Sequence, residues 1–541
     1  MKVYKLVLVL LLVAALLMGC TPTEQQDPDP KPDPQPTESD KHLITDASGN
    51  YGGSQNVELY GEGAPLNGEY DNLEAGYYLA PDYYNMKSTK DRTIFPEFQP
   101  YQQTMADSSG IACALMILNY FGEDVKEEYN ELQLLNIYEQ LNNEVVYGNG
   151  TTKTGLINLF NEVGYTATTD EYLELSSATN DKIADFSDWV WGHLSNGRFI
   201  MVRFQDGMDF GWHVIVGLET YGTEYPRDDV LILADPFDNL DHYQDGFHTE
   251  ALGRFYRWWM NVEDSGVTTD EFDYILVNPK TPIRISRVEE ERKQVQTVPE
   301  LHLLLNPDGS YGGSTDPDKY GTIDIKNGSV DQLTSIYHKF NDYYNMQNTD
   351  TRYILTGYRA FQQTMSSSCG ICSTLSVLNY YGEDVTVYNE VYLTELYCDV
   401  NNKDTIYNVG VGSSGLKKLV AELGYEATAG SFSRDSYVDN SSREFGSYEE
   451  FLLWVQTNLS KGTPMPISWR PHSGHWEVII GIDNMGTDYI YDDVIILADS
   501  ADNWDHYQDG YNTLPATMFF RQWYNGSFSY NQQFCVFDRI S

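Results

Sequence analysis

The sequence predicts two consecutive α+β domains behind an export segment, and three observations carry that prediction. The chain repeats itself at an offset of about 260 residues, each copy sets helix-patterned segments ahead of strand-patterned ones, and residues 1–41 read as a signal followed by a tether. Hydrophobic residues at 41% and charged residues at 21% lie near globular norms, so most of the 541 residues are expected to fold.

In chain order, Lys2 and Lys5 precede an apolar run from Leu6 to Met18 and then Gly19-Cys20. That run is shorter than the roughly 20 residues a spanning helix needs, so it reads as a signal peptide over 1–20. Its ending, Leu17-Met18-Gly19-Cys20, resembles a bacterial lipobox in which Cys20 is lipidated, although Met at the second place is unusual there; the alternative is ordinary cleavage near Gly19. Residues 21–41 (TPTEQQDPDPKPDPQPTESDK) are rich in Pro and Asp and predict a disordered tether, which favours the anchored reading. The expectation is a bacterial surface lipoprotein, exported and held to the outer face of the membrane through Cys20 only.

The repeat follows. HLITDASGNYGGS at 42–54 returns as HLLLNPDGSYGGS at 302–314, and DYYNM at 82–86 returns at 342–346. Residues 101–125 match 361–385 at 15 of 25 positions, and residues 230–247 match 494–511 at 13 of 18, the offset there being 264. A unit of about 250 residues is too long for a solenoid repeat and has the size of a domain. The predicted boundaries are 42–285, a charged linker at 286–300, and 301–541. Within the second copy, Gly370–Tyr381 and Gly415–Leu423 have helical patterning with Gly382 and Gly424 as stops, and Trp476–Ile482 and Val494–Ala498 read as strands.

Thirty-four Lys+Arg against 80 Asp+Glu give a net charge of −46, which argues against nucleic acid and against a basic grip on lipid. Six cysteines are too few for a disulfide scaffold, and without Cys20 an odd five remain, so at least one thiol is free.

Cys369 stands at a predicted helix start beside Gly370, where the helix dipole favours a thiolate. Gln363 lies six residues upstream and can donate to an oxyanion. His475 opens the strand GHWEVIIGID and Asp499 ends DDVIILADS, so neighbouring antiparallel strands would set an imidazole against a carboxylate. Each residue has a plainer reading: an inert thiol, a surface histidine (His472 competes with His475) and a turn aspartate. The ordered set is more specific than any member.

QTMSSSCGICSTLSVLNYYG, GHWEVIIGID and VIILADS together resemble the papain-like cysteine peptidases of the bacteriocin-leader-processing type, peptidase family C thirty-nine and its relatives. The resemblance implies two papain-like domains, each with a helical half carrying the Cys and an antiparallel sheet carrying His and Asp. It also implies Cys369 as nucleophile, His475 as general base and acid, Asp499 as its orienter, Gln363 as oxyanion donor, no cofactor, and a peptide or protein substrate. Two positions depart from the family pattern, Ile371 and Ser500 standing where Pro is usual. The transporter segments of the bacteriocin enzymes are also missing, so a leader-peptide substrate does not follow.

In the first copy Gln103, Gly110 and Asp235 remain, but Ser109 replaces the cysteine, and Gly211 falls opposite His475. His213 falls opposite Glu477, two residues and about 7 Å along the strand from the lost position. This predicts a pseudo-catalytic domain, with a serine hydrolase as the alternative if a bulge returns His213. Three other readings compete: a non-catalytic surface binding lipoprotein, a thiol oxidoreductase using the CxxC spacing of Cys369 and Cys372, and calcium loops at Asp235/238/241/245 and Asp499/502/505/509.

Overall fold

The helix that follows Ser368 buries ten of its twelve residues, which requires neighbours on every side. In this computed structural model the described residues are 42–45, 56–64, 75–169, 179–206, 209–223, 225–260, 273–289, 302–304, 317–320, 335–431, 447–469, 474–524 and 533–539. Cys20 with the whole of 1–41, the end of the linker and His472 lie outside them. No helix among the described residues is long and apolar enough to cross a membrane.

The first repeat contains β1 (Arg92–Ile94), α1 (Ser109–Tyr120), α2 (Glu131–Asn142), α3 (Lys153–Glu162), β2 (Thr166–Thr168), α4 (Asn180–Ser195), β3 (Phe199–Asp206), β4 (Asp209–Glu219), β5 (Val230–Ala234), β6 (Phe247–Ala251), α5 (Leu252–Met260) and β7 (Tyr274–Asn278). The second contains β8 (Arg352–Ile354), α6 (Cys369–Tyr380), α7 (Glu390–Asn401), α8 (Ser413–Glu422), β9 (Tyr425–Ser431), α9 (Tyr448–Ser460), β10 (Met465–Trp469), β11 (His475–Asp483), β12 (Val494–Asp499), β13 (Tyr511–Pro515), α10 (Ala516–Tyr524) and β14 (Gln533–Arg539). The order of elements is the same in both, and the predicted helices and strands of the second repeat fall within two residues of those observed.

Local chemistry sets the helix ends alike in the two copies. Asn130 and Asn389 cap α2 and α7 by accepting from the amides of Gln133 and Tyr392, and Asn143 and Asn402 end them in the left-handed region. Each repeat has one seven-stranded antiparallel sheet, ordered β2-β7-β3-β4-β5-β6 with β1 on β4, and β9-β14-β10-β11-β12-β13 with β8 on β11. Strand β11 is buried along its whole length and packs against both α6 and α9, which fits its apolar run Val478–Ile482.

The two repeats do not sit as separate beads, since residues 38–541 form one compact unit. Each lends the other an arm. The amide of Leu79 donates to Tyr337 O at 3.1 Å, and the amide of Lys339 donates to Tyr77 O at 3.0 Å. Tyr78 pairs with its own counterpart His338 in an antiparallel bridge, as a two-fold relation demands. The Asp-rich loops join this contact: His242 lies 3.3 Å from Asp492, and His506 lies 3.6 Å from Asp228. Their aspartates serve the loops themselves, Asp502 accepting the Gly510 amide at 2.6 Å and Asp505 the Tyr507 amide at 2.7 Å.

Candidate active site

Cys369 is the first residue of α6, as the sequence predicts. The turn before it holds Ser367 at φ 67°, a left-handed conformation that costs a non-glycine residue roughly 1–2 kcal/mol. A buried carboxylate pins that turn. Glu390, at the start of α7, accepts from the Thr364 amide at 3.1 Å, the Thr364 hydroxyl at 2.5 Å, the Ser368 hydroxyl at 2.7 Å and the Cys372 thiol at 3.3 Å. Burial pushes Glu390 above the usual carboxylate range, and burial with the adjacent Glu390 does the same to Cys372. Because the Ser368 side chain turns toward Glu390, it does not cap α6. The first-turn amides beside Cys369 therefore keep their partial positive charge. Gly370 is required by close approach, since a Cβ there would lie 2.2 Å from the Val411 side chain and 3.0 Å from the Trp476 ring.

His475 begins β11, and its Nε2 lies 2.5 Å from Asp499 Oδ1 at the end of β12. Asp499 stands directly opposite Glu477 in the ladder and reaches His475 along the diagonal. Burial alone would lower the His475 pKa. The Asp499 carboxylate, and after it the hydrogen-bonded Cys369, outweigh burial and hold it well above the usual imidazole range. Asp499 moves the other way: its burial is outweighed by His475 and by the amides of Ala501 and Asp502, so it stays below the usual carboxylate range. Cys369, His475 and Asp499, 130 positions apart in sequence from first to last, are thus brought together. Gln363 is also buried in the preceding loop, its backbone N–H donating to Ser500 O at 3.0 Å.

Three residues were not legible as parts of this site. Glu390 gave no signal beyond an acidic residue after a helix cap. Glu477 Oε1 lies 4.0 Å from His475 Nε2, its carboxylate accepts from Trp469 Nε1 at 2.6 Å, and burial and Asp499 push it up to about 8. Ser500, which the sequence offered only as a missing proline, donates its hydroxyl to Gln363 Oε1 at 3.0 Å. That bond fixes the side-chain amide: one Nε2 hydrogen goes to Met365 O at 3.1 Å, and no acceptor among the described residues takes the other. In the first repeat Pro236 replaces Ser500, and Gln103 Oε1 has no hydrogen-bond partner among the described residues.

All five described cysteines are unpaired, and the Cys372 thiol is engaged with Glu390, so Cys369 and Cys372 do not form a disulfide here. In the first repeat the register matches His213 with Glu477 and Gly211 with His475, as the alignment predicts. Ser109 Oγ accepts from the Trp212 amide at 3.1 Å, and His213 Nε2 stands 3.4 Å from Asp235 Oδ1. Gln103, Ser109, His213 and Asp235 all line a cleft of about 480 Å³.

Residues 354–530 match the model of the Peptidase_C39 like family. Among solved structures the chain is similar to the peptidase domain of Streptococcus ComA, a bi-functional ABC transporter involved in a quorum sensing pathway. The identity is 16%, the match covers 34% of this chain and 99% of that one, and the TM-score is 0.21. No curated protein matches the chain.

Proposed function

We propose that the second repeat, whose residues 354–530 match the Peptidase_C39 like family, is a papain-like cysteine peptidase domain that hydrolyses peptide bonds through Cys369, His475, Asp499 and Gln363. The observation that carries this reading is the His475–Asp499 contact at 2.5 Å with the Cys369 thiol on the same imidazole. The Cys369 sulfur attacks the scissile carbonyl, the new S–C bond leaving an oxyanion for the free Gln363 N–H and the first-turn amides of α6. Collapse expels the amine, which takes a proton from the His475 imidazolium. A water molecule then attacks the thioester, gives its proton to His475, and releases the acid and the sulfur.

The first repeat lacks both the thiol and the aligned histidine, and Ser109 is occupied by the Trp212 amide. We read it as inactive in hydrolysis. Anchoring at the cell surface through Cys20 belongs to the same proposal. A non-catalytic surface-binding role is the competing reading, and alkylation separates the two. In the purified chain treated with iodoacetamide across pH 4–9, Cys369 should be labelled at pH 6, where an ordinary thiol with a pKa of about 8.5 reacts slowly. His475→Ala should abolish the low-pH labelling. A pH profile unchanged by His475→Ala would rule out an activated Cys–His pair.

Acyl transfer tests the oxyanion donor separately, because alkylation forms no oxyanion. With p-nitrophenyl acetate, Gln363→Ala should slow acylation of Cys369 about 100-fold, the usual cost of losing one such donor. Ser500→Ala should slow it by a smaller factor, since it frees the amide without removing it. Both variants should alkylate normally. Acylation at the parent rate in Gln363→Ala would remove Gln363 from the proposal.

A further inference from the structure

The first repeat has lost one imidazole and gained two. Gly211 stands where His475 would be, while His213 and His248 occupy the places of Glu477 and Asn512. The two gained histidines come from β4 and β6 and flank Asp235, which follows the intervening strand β5. His213 Nε2 is 3.4 Å from Asp235 Oδ1, and His248 Nδ1 is 3.6 Å from Asp235 Oδ2. One ligand atom from each of the three residues lies within 4.8 Å of the other two.

Those separations exceed the 2.7–3.2 Å of ordinary N–H···O bonds, in contrast with the 2.5 Å between His475 and Asp499. The two imidazoles approach different oxygens of the one carboxylate, each at a separation near the edge of a zinc tetrahedron, about 3.4 Å for metal–ligand bonds of about 2.0–2.1 Å. His248 is 4% exposed, and neither of its ring nitrogens has a hydrogen-bond partner among the described residues. The same holds for Asp235 Oδ2, while Oδ1 accepts the Phe237 amide at 2.8 Å. Phe204 packs against both imidazoles, whose planes stand at 89° with centroids 5.6 Å apart. Two imidazoles and one carboxylate form a nitrogen–oxygen donor set suited to zinc and related divalent ions.

We propose that the first repeat binds one zinc-type divalent cation through His213, Asp235 and His248. His213 and Asp235 border the cleft of about 480 Å³ that also holds Ser109 and Gly211, so the remaining position is open to water or to a ligand from that cleft. The degenerate copy thereby exchanges a nucleophile for a Lewis acid at the corresponding end of its sheet.

The test uses the purified full chain, stripped with a chelator and titrated with Zn²⁺ alone, the bound metal being counted by mass spectrometry. One equivalent per chain should be taken up. It should persist in Cys369→Ala and His475→Ala, and be lost in His213→Ala and His248→Asn. The last variant installs the residue that the sister repeat carries at this register, and its metal-free melting temperature should stay near the parent's. Co²⁺ in place of Zn²⁺ should give d–d absorption without a thiolate charge-transfer band. The proposal is overturned if no zinc is retained, if the equivalent survives His248→Asn, or if it disappears with Cys369→Ala, which would put the ion at the thiol site.

Discussion

Glu390→Ala should be the most damaging single substitution in the second repeat, lowering stability by about 4 kcal/mol. It strands the Thr364 amide and hydroxyl and the Met365 amide without their carboxylate acceptor, and a buried donor left unpaired costs about 1–3 kcal/mol. The left-handed Ser367 would lose the anchor that holds it, and with it the aim of Cys369. In a melting experiment this corresponds to a fall of about 5–10 °C. Glu395→Ala is the control, because Glu395 lies on the same helix but 58% exposed, and should change stability by less than about 0.5 kcal/mol. Equal melting temperatures for Glu390→Ala and Glu395→Ala would show that the carboxylate knot holds nothing.

The second large effect is on pH. Burial pushes Asp229 and Asp493 up to about 7 from an ordinary 3.8, and Glu477 up to about 8. Asp238, Asp502, Asp509, Glu131 and Glu390 move in the same direction for the same first cause. An acid raised in the folded state stays protonated there while the unfolded chain ionises, so its stability contribution is lost as pH rises from about 4 to its folded value. A rise as large as that of Asp229 is worth about 4 kcal/mol when fully expressed. His475 adds to the trend, its contribution being complete below 6.5 and lost as pH rises through its raised value. Asp499 and Asp235 oppose it only at the acid end, where protonating a depressed carboxylate removes stability as pH falls below about 3.8. The chain should therefore melt at least about 10 °C higher at pH 5 than at pH 8. The comparison belongs in about 0.3 M salt, which screens the self-repulsion of a −46 chain. A melting temperature that is equal or higher at pH 8 would refute the assignment of these buried acids.

Much of the site was legible because its parts have local signatures. Cys369 opens a helix, His475 opens a strand, Asp499 closes one, and a strand pair brings the last two together without any long-range guess. Glu390 was not legible, since an acidic residue after an Asn cap is common on solvated helices and only burial makes it a clamp. Ser500 read as a lost proline because its value lies in a contact 137 residues away. His248 was hidden for a related reason: on the ladder it faces Leu233, and only tertiary placement sets it against Asp235. The sequence also suggested separable domains joined by a hinge. Crossed main-chain bonds between Tyr77–Leu79 and Tyr337–Lys339 connect positions about 260 residues apart, which no local pattern reports.

Those crossed arms have an evolutionary consequence. A duplicated enzyme can ordinarily discard a copy that has lost its chemistry, because the survivor is whole without it. Here the second copy borrows Tyr77 from the first, its hydroxyl donating to Asp483 at 3.0 Å, and lends Tyr337 and Ser335 in return. Deleting the first repeat would strip the second of part of its own interior. Mutual dependence of folding would keep the first repeat whether or not it carries out the same chemistry, which leaves its Ser109 cleft free to change.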